Sequence, residues 1–314
     1  MPTIKDVAKE AGLGVGTVSR YLNGVRLKER NRLAIENAIE KLGYNRNALA
    51  RSMKTGRSMT IAVIVPHLAN MFSMRVIESI ERALENQEYS VLVSDCDDDG
   101  RKMLDKLTLL KNKMVDGFVL MAPSNDSSGI KERVGDTPLV LIDRTLDKEI
   151  FDSVTVNNRE AVYKTISRVL NRGVEKIGII KGPQAISTAR ERNEGFAQAL
   201  EKRGIKVYPS VEGGYTVKSG FECMQMLLKE ELEAVFTSNY ELTLGALNAI
   251  NQSGRQLQVI GFDSLELENA IRTPILSISQ PIEAIGENAA KLLLQRINGT
   301  RTTLSHTVLD IPQA

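Results

Sequence analysis

The spacing of apolar residues divides the chain into a short helical head and a long alternating body. Before residue 45, apolar residues recur at helical spacing in three short segments that end at Gly12, Gly24 and Gly43. From Met59 onward, short apolar runs alternate with longer amphipathic segments, which is typical of βα units that build parallel sheets. The pattern predicts strands at 60–65, 90–94, 117–121, 139–143, 153–156, 176–180, 233–238, 258–262 and 276–280, and helices near 73–87, 101–113, 159–172, 187–203, 217–229, 241–252 and 282–297.

The head carries the signals of three helices. Thr3 followed by Asp6 resembles a capping box at the start of the first helix. The second helix is predicted from Val15 to Leu22 and the third from about Arg30 to Leu42. Three short helices have little core between them, which fits a compact helix-turn-helix bundle. The glycine-rich turn after the first helix has neither the spacing nor the preceding strand of a dinucleotide site, which is the weaker alternative.

The two patterns predict an all-α helix-turn-helix head and an α/β core of two Rossmann-like lobes. Ligands in such α/β folds bind at the carboxyl ends of the strands, here in the cleft between the lobes. We assign residues 1–45 to the head, 46–58 to a hinge helix or linker and 59–314 to the core, with lobe 1 at about 59–156 and 281–304 and lobe 2 at about 157–279 and 305–314.

Charge separates the same two parts of the chain. Residues 1–57 contain 12 basic and 5 acidic residues, whereas the remainder contains 29 basic and 34 acidic residues. A basic head on a mildly acidic body is expected if only the head meets a polyanion, although basic heads also occur on proteins that bind no nucleic acid. Cys96 and Cys223 have the character of small core residues, and no apolar run approaches the ~20 residues of a membrane span. We expect a cytoplasmic protein without metal, cofactor or membrane contact.

The head contains the segments IKDVAKEAGLGVGTVSRYLNG and KLGYNRNALARSMKTGRS. Both are similar to the N-terminus of the lactose-repressor (LacI) family, and the resemblance continues through the whole chain. In that family the second helix enters the major groove of DNA. The chemistry agrees for Arg20, which can contact guanine with two hydrogen bonds, whereas Val15 and Gly16 offer no side-chain hydrogen bonds. The resemblance implies DNA contacts by Thr3, Val15, Gly16, Thr17, Ser19, Arg20 and Asn23, with Tyr21 helping to seat the helix.

Residues 46–57 resemble the hinge helix of this family, which folds on operator DNA and inserts a leucine into the minor groove. The matching residue is Met53, and methionine is among the apolar wedges that unstack a base step. The resemblance therefore adds Asn47, Ala50, Met53 and Lys54 to the DNA-binding set. The alternative for this segment is a flexible charged linker.

The core resembles the periplasmic-binding-protein-like domain of the same family. The resemblance implies that Arg192 grips an effector and that Asp263 and Asn239 bind its hydroxyl groups. A fixed arginine beside carboxylates and amides suits a neutral sugar, whereas Tyr240 and His67 replace common aspartates and so favour a phosphorylated effector as the alternative. The remaining cleft positions implied by the resemblance are His67, Asn70, Phe72, Ser73, Asp143, Tyr240, Phe262 and Gln280.

Together, these features predict a homodimeric transcription regulator of the repressor type. Its two heads would bind the half-sites of a pseudopalindromic double-stranded operator, and a sugar or sugar phosphate in the cleft would change the affinity for the operator. The core has no motif of a known catalytic site, so we expect no enzyme activity. Two alternatives are a cytosolic sugar-binding or sugar-modifying protein with a non-specific basic head, and an architectural DNA-binding protein that uses the hinge wedge alone.

Overall fold

The computed structural model describes residues 2–22, 24–44, 56–263 and 275–312, and it divides the chain into two units, Met1–Ser58 and Met59–Ala314. The first unit contains α1 (Ile4–Glu10), α2 (Val15–Leu22) and α3 (Glu29–Leu42). At the start of α1, the Thr3 amide donates to the Asp6 carboxylate at 2.8 Å, as in one half of a capping box. The small core of this unit is formed by Val7, Ala8, Val18, Ile35 and Ala38.

The second unit begins with a parallel six-stranded sheet. Its strand order is β11-β5-β4-β3-β1-β2, and every neighbouring pair is parallel. The strands are β1 (Thr60–Val65), β2 (Ser90–Asp95), β3 (Gly117–Leu120), β4 (Leu139–Ile142), β5 (Asp152–Val156) and β11 (His306–Leu309).

Helices cover both faces of this first sheet. The helices α4 (Met71–Glu85) and α11 (Ile282–Ile297) pack on one face, whereas α5 (Gly100–Asn112) and α6 (Ile130–Val134) pack on the other. Helices α4 and α11 approach so closely that a Cβ atom at Gly286 would lie 2.3 Å from the Ser79 hydroxyl oxygen. Glycine is therefore required at this crossing.

A second parallel sheet has the order β10-β9-β8-β6-β7. Its buried strands consist almost entirely of apolar residues, as expected for a sheet covered on both faces. The strands are β6 (Ile177–Lys181), β7 (Ser210–Glu212), β8 (Ala234–Thr237), β9 (Gln258–Phe262) and β10 (Ile275–Ile278), and the helices are α7 (Asn158–Asn171), α8 (Ser187–Lys202), α9 (Val217–Leu227) and α10 (Tyr240–Ser253). Among the helices described here, none is long and apolar enough to cross a membrane.

The end of the chain differs from the prediction. We assigned residues 305–314 to the second lobe and predicted no strand there, but β11 lies beside β5 in the first sheet. The reason is a clamp at the start of β5, where Asp152 accepts hydrogen bonds from Arg296 at 2.6 Å and from the Ser305 amide at 2.7 Å. Strand β11 lies at the edge of the sheet, and its residue Val308 is 61% exposed. An edge strand of this kind does not need a continuous apolar run, so the sequence pattern did not identify it.

Candidate functional site

Helix α2 exposes the residues that the family resemblance assigns to DNA bases. Val15, Gly16 and Arg20 are exposed, while Val18 is fully buried against the other two helices. A Cβ atom at Gly16 would meet no atom within 4 Å, so the residue leaves an open patch on the helix. Thr17 and Ser19 are half-buried beside this face, and Thr3 is exposed with its hydroxyl donating to Asp6 at 2.7 Å.

Tyr21 is held inside the head. Its hydroxyl donates to Glu36 at 2.8 Å, and Arg32 donates to both oxygens of the same carboxylate at 2.8 and 2.7 Å. The hydrogen bond from Tyr21, followed by that from Arg32, lowers the pKa of Glu36, and the same bond raises the pKa of Tyr21. This network fixes the orientation of α2 against α3.

Five of the predicted DNA-binding residues lie outside the described residues. They are Asn23, Asn47, Ala50, Met53 and Lys54. Their roles therefore stay predictions from the sequence.

In the core, the carboxyl ends of the strands of both sheets surround a cavity of about 440 Å³. Ten of the eleven predicted effector residues line it, and the eleventh, Phe262, lies directly behind Arg192. The cavity volume falls within the range of about 300–1,000 Å³ typical of small-molecule sites. The ten lining residues are His67, Asn70, Phe72, Ser73, Asp143, Arg192, Asn239, Tyr240, Asp263 and Gln280.

Arg192, on α8, is fixed before any ligand arrives. Its Nε donates to the side-chain oxygen of Asn158 at 2.9 Å, and its Nη1 donates to the Ser238 carbonyl at 2.7 Å. The guanidinium carbon lies 3.6 Å from the centre of the Phe262 ring, which is close enough for a cation–π contact. Phe262 thus contributes by supporting Arg192.

Two buried carboxyl groups face Arg192 from the two sheets. Asp143 follows β4 and Asp263 follows β9, and both have left-handed backbone conformations, with φ of 66° and 57°. Burial raises the pKa of both carboxyl groups, while the nearby Arg192 guanidinium opposes this shift. Gln280 holds Asp263 through its backbone amide at 3.0 Å and its side-chain amide at 2.6 Å.

Three polar atoms at this cavity are buried without a hydrogen-bond partner among the described residues. They are Nε of Arg144, the hydroxyl of Tyr215 and Oε1 of Gln280, and all three residues line the cavity. Leaving such an atom unsatisfied costs about 1–3 kcal/mol. These atoms therefore favour a ligand that both donates and accepts hydrogen bonds.

Hydrogen bonds across the cavity join the two lobes. The side-chain amide of Asn70, at the start of α4, donates to Glu241 of α10 at 2.8 Å. On the other side, Ser187 accepts from the Thr145 amide at 3.2 Å and donates its own amide to Asn125 at 3.1 Å. The described conformation of the core is therefore closed around the cavity.

The residues that sequence reasoning missed include Arg144, Tyr215 and Glu241, which line the cavity, and Asn158, which holds Arg192. Arg144 follows directly after Asp143, and its Nη1 donates to the Ala122 carbonyl at 2.8 Å. Glu241 lies two residues after Asn239, within the segment that the resemblance had already marked. Proximity to predicted site residues was thus the available signal for these two, but nothing in the sequence showed that their side chains turn toward the cavity.

Comparison with known proteins gives the same division of the chain. Residues 3–47 match the family of bacterial regulatory proteins of the lacI type, and residues 58–313 match the family of periplasmic binding proteins and sugar-binding domains of LacI regulators. Catabolite control protein A of Priestia megaterium is 30% identical over 99% of this chain and 96% of its own length. The transcriptional repressor PurR of Pasteurella multocida is 32% identical over 95% of this chain and 92% of its own length.

A solved structure supports the same relationship for the whole fold. The lac repressor dimer, bound to operator and the anti-inducer ONPF, matches with a TM-score of 0.88 and 25% identity, over 99% of this chain and 96% of the repressor chain. Together the two family matches span the head and the core, and each relative above spans both parts. The chain therefore belongs to the LacI family of bacterial regulatory proteins, as a DNA-binding transcription regulator with a small-molecule-binding core.

Proposed function

We propose that this protein is a homodimeric repressor in the bacterial cytoplasm whose affinity for a pseudopalindromic operator depends on a small molecule in the core cavity. One observation carries the proposal: a cavity between the two lobes holds the preorganised Arg192 near Asp143 and Asp263, in the same chain as a helix-turn-helix head. The proposed role is regulatory, without catalysis. PurR, which is 32% identical, is named a transcriptional repressor, which favours repression over activation.

Control of DNA binding follows from two arrangements of the lobes. A ligand that binds the closed core more tightly than the open one shifts the equilibrium toward closure. If the two arrangements space the two heads of a dimer differently, operator affinity changes by a coupling free energy that is typically about 1–3 kcal/mol.

The proposal can be tested by selecting, from a pool of random duplex DNA, the sequences that the full chain binds. Arg20 is exposed on α2 and Arg192 is 4% exposed in the cavity, so their substitutions separate the two functions. We expect an inverted repeat to be enriched, with Arg20→Ala abolishing this preference. Arg192→Ala should keep operator binding and lose its response to a ligand.

Two results would favour the alternatives. Binding without any preferred sequence, together with turnover of a sugar, indicates a sugar-modifying protein with a non-specific head. An architectural role through Met53 alone predicts that Arg192→Ala leaves any ligand response unchanged, and that Met53→Ala removes DNA bending.

A further inference from the structure

The lining of the cavity contains more acidic than basic side chains. Among the described residues it includes the two arginines, 144 and 192, and four carboxyl groups. Each arginine already has protein partners. Arg192 contacts Asn158 and the Ser238 carbonyl. Arg144 contacts the Ala122 carbonyl, Asp98 at 3.3 Å and, through Nε, Asp143 at 3.6 Å. The four carboxyl groups belong to Asp98, Asp143, Glu241 and Asp263.

Glu241 occupies the amide donors that an effector would otherwise meet. One carboxylate oxygen accepts from the side chain of Asn70 in the first lobe at 2.8 Å, and the other accepts from the side chain of Asn239 in the second lobe. Both asparagines line the cavity. Burial raises the pKa of Glu241, whereas hydrogen bonds to its carboxylate, including that from Asn70, favour the charged form and oppose this shift.

The helix N-termini around the cavity are partly satisfied by side-chain oxygens of the protein itself. Such N-termini favour phosphate because their first amides lack partners within the helix. Here side-chain oxygens of the cap residues Asn70, Thr216 and Asn239 accept from the amides of Ser73, Ser219 and Leu242 at 3.0, 3.1 and 2.9 Å. A further amide, that of Ser187 at the start of α8, donates to Asn125.

We propose that Glu241 is a specificity-determining residue that makes the cavity select an uncharged, hydroxyl-rich ligand and exclude its phosphorylated form. The carboxylate holds the two asparagine amides and adds a negative charge to the lining of the cavity that a phosphate group would enter. The unsatisfied Gln280 oxygen and Tyr215 hydroxyl then pair with hydroxyl groups of the ligand. This inference rests on the proposed function only in taking the cavity as the effector site.

Matched pairs of ligands test this selectivity without DNA. The probes are ribose and ribose 5-phosphate, glucose and glucose 6-phosphate, fructose and fructose 1-phosphate, and adenosine and its 5′-monophosphate. Their dissociation constants for the full chain come from the rise in the thermal unfolding midpoint and from calorimetric titration. We expect at least one uncharged member to bind and its phosphorylated partner to bind more weakly by about tenfold or more, because like charges repel strongly at short range in a buried site.

Substitutions at position 241 then assign the selectivity to this side chain. Glu241→Gln removes the charge and keeps an oxygen that can accept from Asn70, and Glu241→Ala removes both. Each should reduce the ratio between the two dissociation constants by about tenfold or more, whereas Glu231→Gln, at an exposed residue paired with Lys176, should leave the ratio unchanged. Because the ratio is taken within one variant, a general loss of stability does not alter it.

Three outcomes would overturn the assignment: a wild-type preference for a phosphorylated member, an unchanged ratio in Glu241→Gln, or no binding by any uncharged member. Failure of the proposed function looks different. In that case the ligands still bind with the expected ratio, and operator affinity does not respond to them.

Discussion

The side-chain oxygen of Asn158 accepts a hydrogen bond from Nε of Arg192 at 2.9 Å, and this bond ties the start of α7 to the effector cavity. Asn158 is 1% exposed, and its amide group also donates to Glu191 at 3.0 Å. The residue comes two positions after β5, where the chain passes from the first sheet to the second. One of the groups that orient Arg192 thus comes from the connection between the lobes, alongside the Ser238 carbonyl and the Phe262 ring.

We predict that Asn158→Ala weakens the ligand response more than it weakens operator binding. Removing the acceptor leaves a buried guanidinium Nε without its partner, which costs about 1–3 kcal/mol and releases the orientation of Arg192. Glu191→Gln is the matched control, because it keeps an oxygen acceptor for the Asn158 amide and leaves the bond between Asn158 and Arg192 in place. Operator titrations with and without ligand measure the effect, and an unchanged ligand response in Asn158→Ala would remove the positioning role.

We predict that the Asp143 carboxyl group lowers the stability of the folded protein and increases its affinity for ligand. Burial raises the pKa of this carboxyl group, so folding favours the protonated form relative to the unfolded chain. The stability linked to this group is therefore present at low pH. It is lost as the pH rises from the pKa of the unfolded chain through the higher pKa of the folded protein. Asp143→Asn removes the charge with little change in shape. We expect a higher thermal unfolding midpoint at neutral pH.

The same substitution removes a charged hydrogen-bond acceptor from the cavity. Ligand affinity in Asp143→Asn should fall by about tenfold or more, because a hydrogen bond to a charged group contributes about 1.5–3 kcal/mol. Thermal unfolding and calorimetric titration of the same variant measure both effects. A lower midpoint together with unchanged affinity would show that Asp143 is a structural residue that does not contact ligand.

The Arg296–Asp152 pair holds the final strand of the core. The Asp152 side chain is 1% exposed and Arg296 donates to both of its oxygens, at 2.6 and 3.0 Å. Arg296→Met leaves the buried carboxylate without its charged partner and with the Ser305 amide as a remaining donor. We therefore expect a loss of about 3–5 kcal/mol of unfolding free energy. Urea denaturation measures this loss of unfolding free energy.

A second substitution separates charge from packing at this clamp. Asp152→Asn in the Arg296→Met background removes the buried charge that has lost its partner, and it should recover part of the lost unfolding free energy. If the double variant is no more stable than Arg296→Met alone, the buried charge is not the cause. Arg82→Met is a matched control, because Arg82 and its partner Glu78 are both largely exposed and their pair should contribute little.

The sequence predicts most of the strands and the positions around the cavity, but not which side chains interact. Strands such as β1 and β8 are continuous apolar runs whose burial is encoded locally, and the cavity residues follow them at predictable places. Strand β11 has alternating exposure, so its place beside β5 depends on Asp152 and Arg296, which are distant in sequence. Glu241 was missed for the same reason, since its partner Asn70 comes from the other lobe.

The Tyr21–Glu36 hydrogen bond makes the head sensitive to acid. Hydrogen bonds from Tyr21 and Arg32 lower the pKa of Glu36 below its usual value of 4.5, so the stability from this group is present above that value and is lost as pH falls through the lowered pKa. In Tyr21→Phe, the carboxyl pKa should rise toward 4.5, and α2 should be held less firmly against α3. Carbon-detected NMR titration of the Glu36 carboxyl group in both proteins measures the shift.

Operator binding gives a second readout of the same bond. Because the Tyr21 hydroxyl is committed to Glu36 at 2.8 Å, Tyr21→Phe should weaken binding to the selected operator and to unrelated DNA by similar factors, through a less firmly held α2. Arg20→Ala should instead weaken binding mainly to the selected operator, because an arginine at a base edge carries specificity. A loss in Tyr21→Phe confined to the selected operator would show that the hydroxyl leaves Glu36 and contacts DNA.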